Sequence, residues 1–198
     1  MKAIVYSRYG SPDVLHLQEV DKPTPKDTEV LVKVQAASLN AADLDYLNGA
    51  FLIRLGSPFK PAHQILGSDI VGRVEAVGGS VTRFKVGDEV FGDLSECGFG
   101  AFAEYVCAPE KALALKPTTS TAEETATLPA AAVIALQALR DNGQVKPAQK
   151  VLVNGAGGGV GTFAVQLAKL FGAEVTAVDA AAKLDMLRGL GADHVIDY

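Results

Sequence analysis

Apolar residues follow two different spacings along this chain. Up to Pro117 they fall in short runs rich in β-branched and aromatic side chains: Ala3 to Tyr6, Leu15 to Glu19, Val30 to Ala36, Ile70 to Val77 and Val90 to Phe91. Turn signals separate the runs, at Tyr9-Gly10-Ser11-Pro12, Pro23-Thr24-Pro25, Val77-Gly78-Gly79-Ser80 and Val86-Gly87-Asp88. Closely spaced strands with such turns predict a small barrel-like β domain. Gly100 to Cys107 predicts another strand, and Asn40 to Asn48 one or two helical turns. After Pro117 the spacing lengthens. Thr121, with Glu124 three residues on, has the form of a capping box. A helix rich in alanine and leucine is expected to run on from Ala126 to Arg140, with Pro129 in an early turn and Asn142-Gly143 at its end. Strands at 150–154, 174–179 and 194–197 then alternate with helices at about 158–171 and 182–190. The expected fold class is α/β with a β-rich domain, divided into 1–120 and 121–198.

The segment from Val151 to Asp179 carries the most chemistry. An apolar run, Val151-Leu152-Val153, enters a loop containing Gly155, Gly157, Gly158, Gly159 and Gly161. Phe163, Leu167 and Leu170 then share a helical face, Gly172 stops the helix, and a second apolar run ends at Asp179. Strand, glycine loop, helix, strand and acid is the layout of a dinucleotide-binding unit. Glycines let backbone N–H groups approach a pyrophosphate, and the helix N-terminus favours the anion. Ala156, Gly157, Gly158, Gly159, Val160 and Gly161 are therefore candidate cofactor-binding residues. Ala156 occupies the slot of the motif's first glycine. Asp179 stands where an acid would meet a ribose hydroxyl. A tight strand-to-helix turn with no ligand is the competing reading.

Composition narrows the function classes. Hydrophobic residues make up 48% of the 198 residues and charged ones 21%, as in ordinary globular proteins. The net charge of −5 disfavours nucleic acid and anionic membranes as partners. No apolar run approaches the ~20 residues of a membrane span, and the N-terminal MKAIVYSRYG lacks a signal-peptide core. Cys97 and Cys107 are the two cysteines. A free loop thiol and a strand residue are expected rather than a disulfide, and a cytoplasmic address follows by default.

Six motifs spread over nearly the whole chain carry a resemblance: Ala37-Ser-Leu-Asn-Ala-Ala-Asp43, Ile65-Leu-Gly-Ser-Asp69, Phe84-Lys-Val-Gly-Asp-Glu-Val-Phe91, Gly100-Ala-Phe-Ala-Glu-Tyr105, Asn154-Gly-Ala-Gly-Gly-Gly-Val-Gly161 and Leu190-Gly-Ala-Asp-His-Val-Ile-Asp197. With them the sequence resembles the medium-chain dehydrogenase/reductase superfamily, in its zinc-free quinone oxidoreductase (zeta-crystallin-like) branch. The resemblance implies a GroES-like substrate domain followed by a Rossmann domain. It implies hydride transfer from a nicotinamide to a small molecule: a quinone, an enone, an aldehyde or another carbonyl. It also places Asn40 and Asp43 near the nicotinamide end of a cleft.

No metal is expected. Where zinc-dependent relatives carry their ligands, this chain has Asn40, Gly67-Ser68-Asp69 and a position near Ala130, which do not form a catalytic zinc set. His16, His63 and His194 lie in no ligand motif, and His63 is expected at the surface. Reduction of a conjugated C=C without metal needs a hydrogen-bond donor for the developing enolate. Asn40 and Tyr46 are the candidate donors. Asn40 and Asp43 could equally cap a short helix, and Asp69 has a structural reading of equal weight. Ile134 replaces a threonine common in the family, and Asp179-Ala-Ala-Ala-Lys183 replaces a Ser/Thr/Arg cluster suited to a 2′-phosphate. Asp179 slightly favours NAD over NADP, while Lys183 pulls the other way. Family members run well past 300 residues, so truncation after the third Rossmann strand is expected. In the order 3-2-1-4-5-6, strand 1 is then an apolar edge. That edge implies a homo-oligomer. The alternative function is a catalytically inactive fragment that binds nucleotide or self-assembles.

Overall fold

The computed structural model describes residues 1–198, which divide into two compact units, Met1–Pro129 and Ala130–Tyr198. In the first, β1 (Lys2–Val5) pairs antiparallel with β2 (His16–Glu19). β3 (Glu29–Ala37) is followed by α1 (Ala41–Asn48), α2 (Phe51–Gly56), β4 (Asp69–Val77), β5 (Glu89–Asp93), β6 (Tyr105–Pro109), β7 (Leu113–Leu115) and α3 (Ala122–Ala126). The five later strands form one antiparallel sheet in the order β6-β3-β4-β5-β7. Single bridges at Ala3–Ala103 and Val5–Ile65 tie β1 to the rest of the unit.

Alternation on these strands builds the core. Val30, Val32, Ile70 and Val90 are fully buried and meet Val74, Leu94, Phe84 and Leu113. Each such side chain contributes about 1.5–3 kcal/mol on burial. The strand expected from Gly100 begins five residues later, at Tyr105. Gly98, Phe99 and Gly100 all have positive φ, of 105°, 63° and 114°, which interrupts extended backbone. α2 and β7 were not anticipated.

The box at Thr121 closes as expected. Thr121 Oγ1 accepts from the Glu124 N–H at 3.1 Å, and the Glu124 carboxylate accepts from the Thr121 N–H at 2.9 Å. The helix ends at Ala126, however, and α3 packs within the first unit rather than opening the second. Pro129 explains the break: it has no N–H to donate and disfavours helix at the residue before it.

The second unit contains α4 (Ala131–Leu136), extended by a wide π turn over Gln137–Asn142, then β8 (Lys150–Asn154), α5 (Gly159–Leu170), β9 (Glu174–Val178), α6 (Leu184–Gly189) and β10 (His194–Ile196). The sheet is parallel, ordered β10-β9-β8, as expected for Rossmann strands 3, 2 and 1. Val165 and Ala168 of α5 and Leu187 of α6 are fully buried with Val175 and Ala177 of β9. Asp193 fastens the lower end, pairing with Lys169 at 2.8 Å and accepting from the Val175 N–H at 2.7 Å.

Candidate functional site

The glycine loop of the second unit turns on Gly155, with φ of +72°. The N–H groups of Gly155 and Ala156 both donate to the Val178 carbonyl, at 3.0 and 3.1 Å, closing the loop on the end of β9. Ala156 is fully buried in the core. The left-handed step is taken one residue earlier than in the glycine motif, so Ala156 needs no glycine and its methyl group packs instead. Gly157 donates to Asp179 Oδ2 at 2.7 Å and Gly158 to the Gly155 carbonyl at 3.1 Å. The N–H groups of Ala156, Gly157 and Gly158 are thus engaged within the protein. The first turn of α5 is left. Gly159 and Val160 are exposed there, and N–H groups of a first turn have no intrahelical acceptor. Gly161 is buried. A Cβ there would stand 2.6 Å from the Ala156 carbonyl oxygen and closer still to that of Gly155, so glycine is what lets α5 approach the loop.

Asp179 also departs from expectation. It is 3% exposed. Oδ1 accepts from the Ala180 N–H at 2.8 Å and lies 3.3 Å from Lys183 Nζ, while Oδ2 holds Gly157. Oδ2 braces the loop, and Oδ1 is held by the residues that follow Asp179. The NAD preference, which rested on a carboxylate free to meet a ribose, loses that support. The Ala180 and Gly157 N–H groups, aided by Lys183, hold the Asp179 carboxyl below its ordinary range. A depressed carboxyl stabilises the fold above its unfolded pKa of about 3.9, and that contribution fades as pH falls through the lower folded value. The Gly157 amide resonance should therefore stay constant from neutral pH down to about 4 and shift only below it. A midpoint above 5 would contradict this bracing. Lys183 lies across the loop: a Cβ on Gly157 would overlap its Cδ, while 47% of the lysine side chain remains exposed. Ile134 of α4 is half-exposed and brings no hydroxyl.

In the first unit, Asn40 caps α1. Its N–H donates to Asp43 Oδ2 at 2.8 Å, and Asp43 Oδ1 accepts from the Gly67 N–H at 3.1 Å. Asp43 is 3% exposed, and burial pushes its carboxyl up against the pull of those two N–H bonds. Its two oxygens tie α1 to the chain before β4, a structural use. The Asn40 Nδ2 points inward to Asp69 Oδ2 at 3.1 Å, with Ser68 and Ser38 hydroxyls at 3.4 and 3.5 Å. Asn40 is therefore not the free donor that enolate stabilisation requires.

Tyr46 is half-buried, its ring edge-on to Phe99 at 4.6 Å, and its hydroxyl takes no partner in the chain. It lines a pocket of about 270 Å³ with Tyr6, Tyr9, Leu52, Ile53 and His63. Tyr9 donates to the Ser57 carbonyl at 2.7 Å. Burial, with Tyr9, Tyr46 and Asp43 nearby, pushes the Tyr6 phenol up to about 12, so it keeps its proton at neutral pH. His63 is half-buried, 5.2 Å from the Phe99 ring, and belongs to this pocket rather than to open surface. Phe99 supports both rings from a left-handed backbone, a conformation found at functional sites. Nothing in the local sequence marks Tyr6, His63 and Phe99 as neighbours.

No group of three His, Cys, Asp or Glu side chains has metal-binding geometry. Asn40, Ser68 and Asp69, in the positions of zinc ligands, bond one another instead. Cys107 is free and burial pushes its thiol up to about 11, away from thiolate chemistry. No helix is long and apolar enough to cross a membrane.

Two family descriptions match the chain: "Alcohol dehydrogenase GroES-like domain" over residues 26–118 and "Zinc-binding dehydrogenase" over residues 159–198. A quinone-oxidoreductase homolog from Spinacia oleracea chloroplasts is 43% identical over 204 residues, covering all of this chain and 61% of that protein. The NADPH-dependent alkenal/one oxidoreductase of Arabidopsis thaliana chloroplasts is 40% identical, with all of this chain and 52% of the relative covered. The structure of the quinone oxidoreductase from Coxiella burnetii superposes with a TM-score of 0.92 at 36% identity, over all of this chain and 62% of the other. The chain thus spans between half and two thirds of the length of these relatives.

Proposed function

This chain belongs to the medium-chain dehydrogenase/reductase superfamily, and on that premise we propose that it supplies the substrate unit and the phosphate-binding half of the nucleotide unit of an NADPH-dependent quinone or enone reductase. The observation that carries the reading is the start of α5, where Gly159 and Val160 offer first-turn N–H groups to solvent with Gly161 seated on the loop behind them. A nicotinamide dinucleotide fits there because a pyrophosphate meets unpaired donors and the positive end of a twelve-residue helix. When bound, the cofactor supplies a hydride. This chain's residues hold the anion and orient the acceptor. The Tyr46 hydroxyl is the donor for an acceptor oxygen that gains negative charge. The reading needs no metal, because a proton donor takes the part of a Lewis acid. The alkenal/one and quinone names of relatives support the substrate class, a quinone or conjugated carbonyl.

NADPH is favoured over NADH in this reading. Asp179 is neutralised by Lys183 and bound to the loop, so it offers a ribose hydroxyl little, whereas the lysine ammonium is placed to meet a phosphate. The relative named as NADPH-dependent points the same way. Fluorescence titration should show saturable NADPH binding, tighter than NADH at moderate salt. Lys183→Ala should weaken NADPH by about tenfold, the scale of a hydrogen bond to a charged group, and leave NADH within about twofold. Equal losses for both nucleotides would remove Lys183 from 2′-phosphate recognition. Absence of any nucleotide binding to the folded chain would remove the reductase reading itself. Reduction of an enone by NADPH should fall sharply in Tyr46→Phe, which keeps the ring and removes the donor.

A further inference from the structure

We propose that Tyr6 is a specificity-determining residue: with Tyr46 it gives the pocket of the first unit two separate donors, which select a ring with an oxygen at each end, a para-quinone, over a ligand with a single carbonyl. This rests on the reading of Tyr46 as the donor to an acceptor oxygen and deepens it. Tyr6 follows β1, and its N–H donates to the Gln64 carbonyl at 3.0 Å. Its ring packs in a small core with Val14, Leu47 and Leu66, and Tyr46 lies against that core. The residue is 2% exposed, and what reaches solvent includes the hydroxyl oxygen. That hydroxyl bonds nothing in the chain.

A buried hydroxyl without a partner costs stability, and protein interiors satisfy nearly all such groups. Tyr9 shows the usual solution in the same pocket. Its hydroxyl donates to the Ser57 carbonyl at 2.7 Å, with that of Lys60 at 3.3 Å. Of the three phenols lining the pocket, those of Tyr6 and Tyr46 are left for a ligand. They do not bond each other, so they act as separate points. Tyr6 keeps its proton at neutral pH and therefore donates. Leu52 and Ile53 add apolar walls, and about 270 Å³ takes one substituted six-membered ring. Quinone carbonyls accept and cannot donate, and their flat ring suits such walls. A single carbonyl leaves one of the two hydroxyls unbonded, which is the penalty that discriminates.

The test titrates two ligands calorimetrically without nucleotide. Duroquinone has two oxygens and no open ring position for a thiol to attack. Isophorone is a methylated ring of similar width with one carbonyl. Tyr6→Phe should weaken duroquinone about fivefold, the scale of a neutral hydrogen bond. Isophorone can turn its carbonyl to whichever hydroxyl remains, so its affinity should change by no more than about twofold. The thermal midpoint of Tyr6→Phe should stay within about a degree of the parent, because the lost hydroxyl held nothing in the fold. Tyr9→Phe, which loses the bond to Ser57, should melt lower. Equal losses for both ligands would mean that the two hydroxyls serve one oxygen, and would overturn the proposal. So would unchanged duroquinone affinity, no binding of duroquinone to the unsubstituted protein, or a Tyr6→Phe protein that melts as low as Tyr9→Phe. These titrations contain no NADPH, so the selectivity can hold where reduction fails, and reduction can succeed where the selectivity fails.

Discussion

Gly161→Val is expected to abolish nucleotide binding and to lower the thermal midpoint by roughly 6–12 °C. The obstacle to a side chain at this position is main chain. A Cβ would stand 2.6 Å from the Ala156 carbonyl oxygen and closer to that of Gly155, and neither can rotate away as a side chain could. Relief requires α5 to move off the loop. That would disturb the buried contacts of Val165 and Ala168 and displace the first-turn N–H groups of Gly159 and Val160. Overpacking costs about 1–3 kcal/mol and more where backbone must shift. At about 2–4 °C per kcal/mol for a chain of this size, a cost near 3 kcal/mol gives the stated drop. Gly189→Ala is the control, since a Cβ there meets nothing within 4 Å. It should leave the midpoint within about a degree or raise it slightly, as helix propensity suggests. Thermal melts with NADPH titration decide the matter. A Gly161→Val protein that melts like its parent and still binds NADPH would show that the helix does not depend on this close approach.

The sequence was most informative where a requirement is local. The strand, glycine loop and helix order, the capping box at Thr121 and the turn after Leu170 each depend on residues within a few positions of one another. Pro129 was equally local, yet its early-turn placement gave way because the residues around it end one helix and begin another. The bond between Asn40 and Asp69 was not legible, since Asp69 lies 29 residues away and becomes a neighbour only when β3 and β4 pair. The same holds for Asp179, whose Oδ2 is taken by the Gly157 N–H, 22 residues earlier. Motif spacing located the acid but could not reveal that the protein's own N–H groups bind it. Phe99 resisted prediction for a different reason. A bulky residue at positive φ runs against backbone preference, and only the packing of Tyr46 and His63 around its ring shows what accompanies it.

The 198-residue polypeptide should self-associate through the open side of its parallel sheet. β8 is hydrogen-bonded to β9 on one side and to no strand on the other. Period-two alternation adds a second exposed feature. Leu152 pairs in register with Thr176 and then His194, and Asn154 with Val178 and then Ile196, so these six residues share one face. Leu152 is 63% exposed on that face and Ile196 48%, while the buried Val175 and Ala177 point to the helices on the other. An unpaired strand edge beside exposed leucine and isoleucine is a template for another strand, and no proline or charge blunts β8 at its centre. A second copy offers the same edge and the same face, so an isologous pair satisfies both at once. Light scattering after size exclusion should report a mass that rises with protein concentration. Leu152→Lys should return the protein to monomer, because the ammonium loses solvation on any face-to-face contact, while the fold is kept since the side chain already faces water. A monomer at every concentration would mean that the exposed face and edge do not drive association. An oligomer unaffected by Leu152→Lys would place the contact elsewhere, with the exposed Phe51, Leu52 and Leu55 of α2 next to be tested.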